Sequence, residues 1–152
     1  MKVVYHCYGG THSSVLAAAV HVGLLSPEER PSPDRLLSLS FYDKRDGKDY
    51  GRIARFGQDE TGNEVLILGR RNYTKAPEMV FAGLQSAFGL KTPIKVVDTS
   101  ITLNWQMKLG GYLSRGLGLK SIGRLVVTWG SRVAYPQVVS LVESTRKEVQ
   151  NS

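Results

Sequence analysis

Hydrophobic and polar positions alternate in two distinct rhythms along the chain. Lys2 to Tyr8 (KVVYHCY) is a short β-branched and aromatic run that stops at Gly9-Gly10, the pattern of a buried strand feeding a loop. Ser14 to Leu24 is rich in alanine and apolar nearly all round, which predicts a buried helix closed near Gly23. The connection LSPEERPSPDR follows, and its Pro27, Pro31 and Pro33 are expected to break regular structure before LLSLSFYD and the charged loop KRDGKDYG. Arg52–Gln58 and Glu64–Leu68 read as two strands joined by a Gly- and Asn-bearing turn, hence a β-hairpin. Pro77 to Phe88 carries apolar residues at helical spacing, with Pro77 suited to a first turn and Gly89 to a C-cap. Ile94 to Ser100 is the next expected buried strand, and LNWQMKLGGYLSRGLGL carries a third helical pattern despite Gly110 and Gly111. Gly123 to Gly130 (GRLVVTWG) reads as a further core strand, and about Val133 to Glu148 as a terminal amphipathic helix.

Strands alternating with helices predict an α/β, three-layer fold: a mainly parallel sheet with helices on both faces and an antiparallel β-hairpin at one edge. In such sheets ligands bind beyond the carboxyl ends of the strands, which brings Tyr8–Ser14, Asp98–Ser100 and Gly130–Arg132 toward one rim. The 152 residues suit one domain spanning 1–152, and the composition is that of a globular protein. The longest apolar run, VLAAAVHVGLL, is shorter than the roughly 20 residues that span a bilayer, so no membrane segment is expected. A lone Cys7 forms no internal disulfide, in keeping with a cytoplasmic setting.

Charge narrows the choice of partner. The net charge is +7, and from Val80 onward the only acids are Asp98, Glu143 and Glu148. A field of that sign attracts anions, whether small phosphates or nucleic acid, but the basic residues are spaced singly and form no nucleic-acid-binding motif.

The densest chemistry lies in HCYGGTHSS, His6 to Ser14. Gly9 and Gly10 allow a sharp turn, while Thr11, Ser13 and Ser14 stand where a helix begins with unpaired N–H groups. Those groups suit an anionic small molecule, and the competing reading is that the hydroxyls only cap the helix, for which a single one would suffice. The P-loop pattern fails, because no lysine precedes Ser13 or Ser14. The segment resembles the H-C-x-x-G-x-x-R-S loop of cysteine-dependent phosphatases, with His6, Cys7, Gly10 and Ser14 on its fixed positions and Ser13 in place of the arginine that holds phosphoryl oxygens. Cys7 is therefore either a nucleophile favoured by the helix N-terminus or a small buried apolar residue. His12, on the loop itself, is the candidate general acid or base, whereas His21 reads as a core or surface histidine. Adjacent strand residues face opposite sides, so His6 and Cys7 are poorly placed to share a metal, and none is assigned.

Elsewhere, Asp59, Glu60 and Asn63 fit turn chemistry. Asp98 follows a strand at the expected rim, and Ser114 and Arg115 sit beside two glycines in the third helical pattern. Arg115 is a candidate for the guanidinium missing from the opening loop. The candidate ligand-binding set is thus Gly9, Gly10, Thr11, Ser13, Ser14, Asp98, Ser114 and Arg115, with Cys7 and His12 as candidate catalytic groups. The pattern names neither a cofactor nor an oligomeric state.

Over nearly its whole length the chain resembles a family of small bacterial proteins, domain of unknown function 3189, from spore-forming Gram-positive bacteria. The resemblance rests on YHCYGGTHSSVLAAA, FYD at Phe41–Asp43, GQDETGNEVLILG, and GGYLSRGLGL followed by GRLVVTWG. It implies one complete domain in a cytoplasmic, bacterial setting and assigns no reaction. Three functional readings follow: an anion-binding protein or an enzyme acting on that anion; a non-catalytic regulatory module with a basic surface for an acidic protein or nucleic acid; and a phosphatase-like hydrolase using Cys7.

Overall fold

The computed structural model describes residues 1–102 and 120–151. Its elements run β1 (Lys2–Cys7), α1 (Ser13–His21), α2 (Pro33–Ser38), β2 (Ile53–Gln58), β3 (Glu64–Gly69), α3 (Ala76–Phe88), β4 (Ile94–Asp98) and α4 (Lys120–Gln150). Short 3-10 turns occupy Gly47–Asp49 and Thr99–Thr102. The fold is mixed α/β: an open four-stranded sheet in the order β2-β3-β1-β4, with β2 antiparallel to β3 and the other pairs parallel.

The hydrophobic rhythm explains most of this. β1 is flanked on both sides, and its Val3, Val4 and Tyr5 are fully buried, as a central parallel strand requires. All nine residues of α1 are buried, because the helix touches β1 and β3 and is also contacted by α4. Its run of alanines permits that close approach. Val3, Tyr5, Val65 and Ile67 share one core with α1 and with Tyr135, Val138 and Val142 of α4. On the opposite face α3 approaches the sheet mainly at β4, and its Met79, Val80 and Phe88 are exposed.

Two expectations are corrected. Gly123–Gly130 is helix, part of the single α4, and not a strand. A short β-branched run bounded by glycines fits either element by local pattern, and burial decides: Val127, Ser131, Ala134, Tyr135, Val138 and Val142 face inward while Leu125 and Trp129 face out. That inward stripe has helical spacing and continues into the terminal helix without a break, through Pro136. Nor does every proline in the connection break structure. Pro33 begins α2, where its fixed φ suits a first turn, and the Ser32 side chain accepts from the Arg35 amide. The third helical pattern, 103–119, lies outside the described residues.

Candidate functional site

The rim at the carboxyl end of β1 is built by backbone contact with β3. Beyond the strand pairing, the Arg70 amide donates to the Cys7 carbonyl at 3.0 Å and the Arg71 amide to the Tyr8 carbonyl at 2.9 Å. The turn then folds onto the end of β3. Gly10 has φ +63°, and a Cβ there would lie 2.5 Å from the Gly69 nitrogen. A Cβ on Gly69 would lie 2.7 Å from the Gly9 carbonyl oxygen. These glycines therefore serve backbone-on-backbone packing as well as the turn itself.

The loop hydroxyls do something other than cap the helix. His12 is the N-cap of α1 and makes no side-chain capping bond. Thr99 Oγ1 donates to the His6 carbonyl at 2.9 Å, so in the 3.0 Å contact between Ser13 Oγ and Thr99 Oγ1 the serine is the donor. Ser14 Oγ lies 3.3 Å from Cys7 Sγ, and the Gly10 amide donates to the same sulfur at 3.2 Å. Thr11 Oγ1 donates to the Phe41 carbonyl at 2.8 Å and accepts from the Arg45 amide.

Cys7 is thus the point on which the loop converges. Burial works to raise its thiol, yet the hydrogen bonds of the Ser14 side chain and amide, of Ser13 and of Gly10 together hold it below the usual range. Arg45, buried beside the loop, interacts electrostatically with Cys7. Its guanidinium donates to the carbonyls of Asp49 and Arg52 at 3.2 and 2.7 Å, which fixes it in place. Burial lowers the Arg45 pKa, opposed by Asp49 and Cys7. A second loop thus brings a buried guanidinium into the electrostatic neighbourhood of Cys7. Arg115, the candidate for the guanidinium missing at Ser13, lies outside the described residues, as does Ser114.

The FYD segment supplies a second arm. Phe41 and Asp43 adopt left-handed φ values of +69° and +53°, unusual for residues other than glycine and most of all for phenylalanine. That conformation is held by the Thr11 bonds and brings Asp43 Oδ1 to 3.2 Å from His12 Nε2, while Arg124 Nε donates to Asp43 Oδ2 at 2.9 Å. Burial works to raise the Asp43 carboxyl, but His12 and Arg124 together hold it below the ordinary carboxylate value. The His12 ring also meets Tyr42 edge-on at 5.4 Å. The half-buried His12 is consequently an oriented imidazole on a carboxylate, a suitable arrangement for proton transfer.

His6 belongs to a different network on the other side of β1. Arg70 Nε donates to His6 Nδ1 at 3.2 Å, so the ring proton is on Nε2, which donates to Glu78 Oε1 at 2.9 Å. Arg70 also donates to Asp98 Oδ2 and to Ser100 Oγ. Burial works to raise Asp98, while the Ser100 hydroxyl and amide and the Arg70 charge are among the groups that bring it below its usual value. Asp98 thus joins His6 and Arg70, whereas its neighbour Thr99 joins Ser13. Cys7, Gly10, Ser13 and Ser14 come together as one cluster, with Gly9 beneath them against Gly69, and Thr11 and His12 tie that cluster to 41–45.

Arg45, Arg70 and Glu78 join these networks without being candidate site residues of the sequence, and Asp43, part of the FYD motif, was not one either. The doubled arginine directly after a buried strand (GRRNY) was the available signal for Arg70; nothing local marks Arg45. Among the described residues no three His, Cys, Asp or Glu side chains stand together in a way that could hold a metal ion, and no helix is long and apolar enough to cross a membrane.

At the far end of the sheet His21 is a core histidine. Its Nδ1 lies 2.6 Å from the Tyr5 hydroxyl and its Nε2 lies 3.2 Å from Asp59 Oδ2. Asp59 Oδ1 also accepts the Thr61 and Asn63 amides, so turn chemistry and core contact coincide at one carboxylate.

No curated protein and no solved structure gives a significant match to the chain. A family model does, over residues 2–147, which include the thiol-centred loop, the FYD arm and both rim arginines. The chain belongs to the family described as protein of unknown function DUF3189.

Proposed function

We propose that the β1–α1 loop binds a phosphate-bearing or similar anionic small molecule and presents Cys7 to it as a thiolate nucleophile. The observation that carries this reading is the convergence of the loop's donors on one sulfur: a turn that stabilises a resident negative charge at a helix N-terminus also suits an incoming oxyanion. Arg45 supplies the positive charge that Ser13 lacks, and His12, oriented by Asp43, is the proton donor to a leaving group. Except for His12 the segment Gly9–Ser14 is buried, so the anion enters past that ring.

A basic docking surface for nucleic acid or an acidic protein has less in its favour. Arg124 is paired with Asp43, Lys95 with Glu148, and Arg146 donates to the Val20 and His21 carbonyls, so these three cations of the C-terminal half are engaged within the chain.

The test is the rate of Cys7 alkylation by iodoacetamide across pH, with and without inorganic phosphate. The expected result is alkylation of the native protein at neutral pH, an inflection below the value of about 8.5 for a free thiol, and slowing by phosphate. Alkylation only on unfolding, or indifference to phosphate, overturns the proposal.

A further inference from the structure

We propose that the trough between α3 and the β2–β3 half of the sheet binds a small aromatic carboxylate, its ring on apolar side chains and its carboxylate on Arg71, at a site separate from the thiol loop. The two sites lie on opposite faces of β1. Cys7 Sγ meets Ser14 of α1, whereas its strand neighbour His6 reaches Glu78 of α3. Strand register carries the His6 face across the sheet: Asp98 and Leu68 pair with His6, and Ile53 pairs with Leu68. α3 touches this face mainly at β4, and over Leu68 and Ile53 a trough of about 510 Å³ stays open, within the range of small-molecule sites. Val80 and Phe81 line it from α3, and Tyr50 and Tyr73 add two more rings.

Charge selects the ligand. Among the described residues no acid lines the trough, and the cations that do are Arg70 and Arg71. Arg70 is committed to His6, Asp98 and Ser100. Arg71 is exposed and has no acidic partner among the described residues. Its backbone is nevertheless fixed in a left-handed conformation, φ +54°, that an L side chain disfavours. Two bonds hold it there: the Arg71 amide donates to the Tyr8 carbonyl, and Arg70 Nη1 donates to the Arg71 carbonyl at 2.9 Å. Strain sustained in this way beneath an uncommitted cation is the pattern of a ligand clamp. One free guanidinium matches one planar carboxylate through two parallel N–H···O bonds, and the neighbouring rings suit an aromatic body.

The test is a calorimetric titration of 2-naphthoate against its neutral counterpart, 2-naphthalenemethanol. The acid is expected to bind once per chain and at least about tenfold more tightly than the alcohol, the smallest effect of a hydrogen bond to a charged group. Arg71→Gln brings the acid down to the affinity of the alcohol. Val80→Asn weakens both, and Tyr73→Ala, at a side chain 71% exposed, repeats that comparison should Val80→Asn fold poorly. Equal binding of acid and alcohol, binding of neither, or an acid indifferent to Arg71→Gln overturns the inference. Slowing of Cys7 alkylation by naphthoate overturns it too, because the anion then sits at the loop, whereas an unreactive Cys7 overturns the loop reading alone. A dimer in sedimentation that Val80→Asn dissociates also overturns it, since the trough is then an interface between two copies.

Discussion

Replacing Gly10 with alanine tests how the thiol loop is anchored. Two effects add at this position. The left-handed backbone, φ +63°, disfavours an L side chain by about 1–2 kcal/mol. The new methyl would also stand 2.5 Å from the Gly69 nitrogen and 2.8 Å from the Leu68 carbonyl carbon, both backbone atoms of a sheet strand that yield little. Overpacking of that kind typically adds about 1–3 kcal/mol. Gly10→Ala is therefore expected to lose about 2–5 kcal/mol, before a gain of about 0.4–1 kcal/mol from the stiffer unfolded chain. Gly23→Ala is the control: φ is +75°, nothing lies within 4 Å of its Cβ, and it shares the strain and the unfolded-state gain without the collision. Gly69→Ala isolates the collision, with a Cβ 2.7 Å from the Gly9 carbonyl oxygen and no left-handed φ. Urea unfolding of the three variants, followed by circular dichroism, reads each loss as a shift in midpoint at constant slope. The expected order is Gly10→Ala worst, and its loss near the sum of the other two. A Gly10→Ala protein no less stable than Gly23→Ala refutes the packing argument.

Two further outcomes follow from the buried polar networks. Arg70→Met strands His6 Nδ1 and weakens the hold on Asp98 and Ser100, and is expected to lose about 3–5 kcal/mol in urea unfolding; a loss under 1 kcal/mol contradicts the network's role. Burial works to raise the Asp59 carboxyl, but the bonds of Asn63, Thr61 and His21 hold it at about 2 against an ordinary 3.8. A folded-state value below the unfolded one means its contribution is complete above about pH 4 and is lost as pH falls toward 2. Asp59→Asn should therefore lower stability at neutral pH and flatten the acid limb of the stability curve over that window, and an unchanged acid limb counts against the assignment.

The opening strand, the alanine-rich helix, the antiparallel pair, α3 and β4 were legible because each has a local rhythm and a local stop: Gly9-Gly10 after β1, the Asp59–Asn63 turn, and Gly89 in a left-handed cap after α3. The segment Gly123–Gly130 was not, because Leu125, Val126 and Val127 suit a strand equally well and only contacts from distant parts of the chain select the helix. The site divides in the same manner. The motif spacing picked out His6, Cys7, Gly10, Ser13 and Ser14; the last four stand together in the structure, and His6 joins the Arg70 network. Asp43 reaches His12 across 31 positions and Arg70 reaches His6 across 64, and no local pattern carries such pairings. Ser13 occupies the arginine position of the phosphatase-like loop and bonds Thr99, 86 positions away, a partner that the spacing does not reach.

A loop that holds Cys7 as a thiolate shows itself in the ionisation of that one group in the native protein. Cys7 is the only cysteine in the chain, so thiolate ultraviolet absorbance titrated against a Cys7→Ser blank reports that group alone. A midpoint clearly below about 8.5, moving upward in Ser14→Ala, is the predicted result. A midpoint at or above that value, or no ionisation until the protein unfolds, contradicts the account.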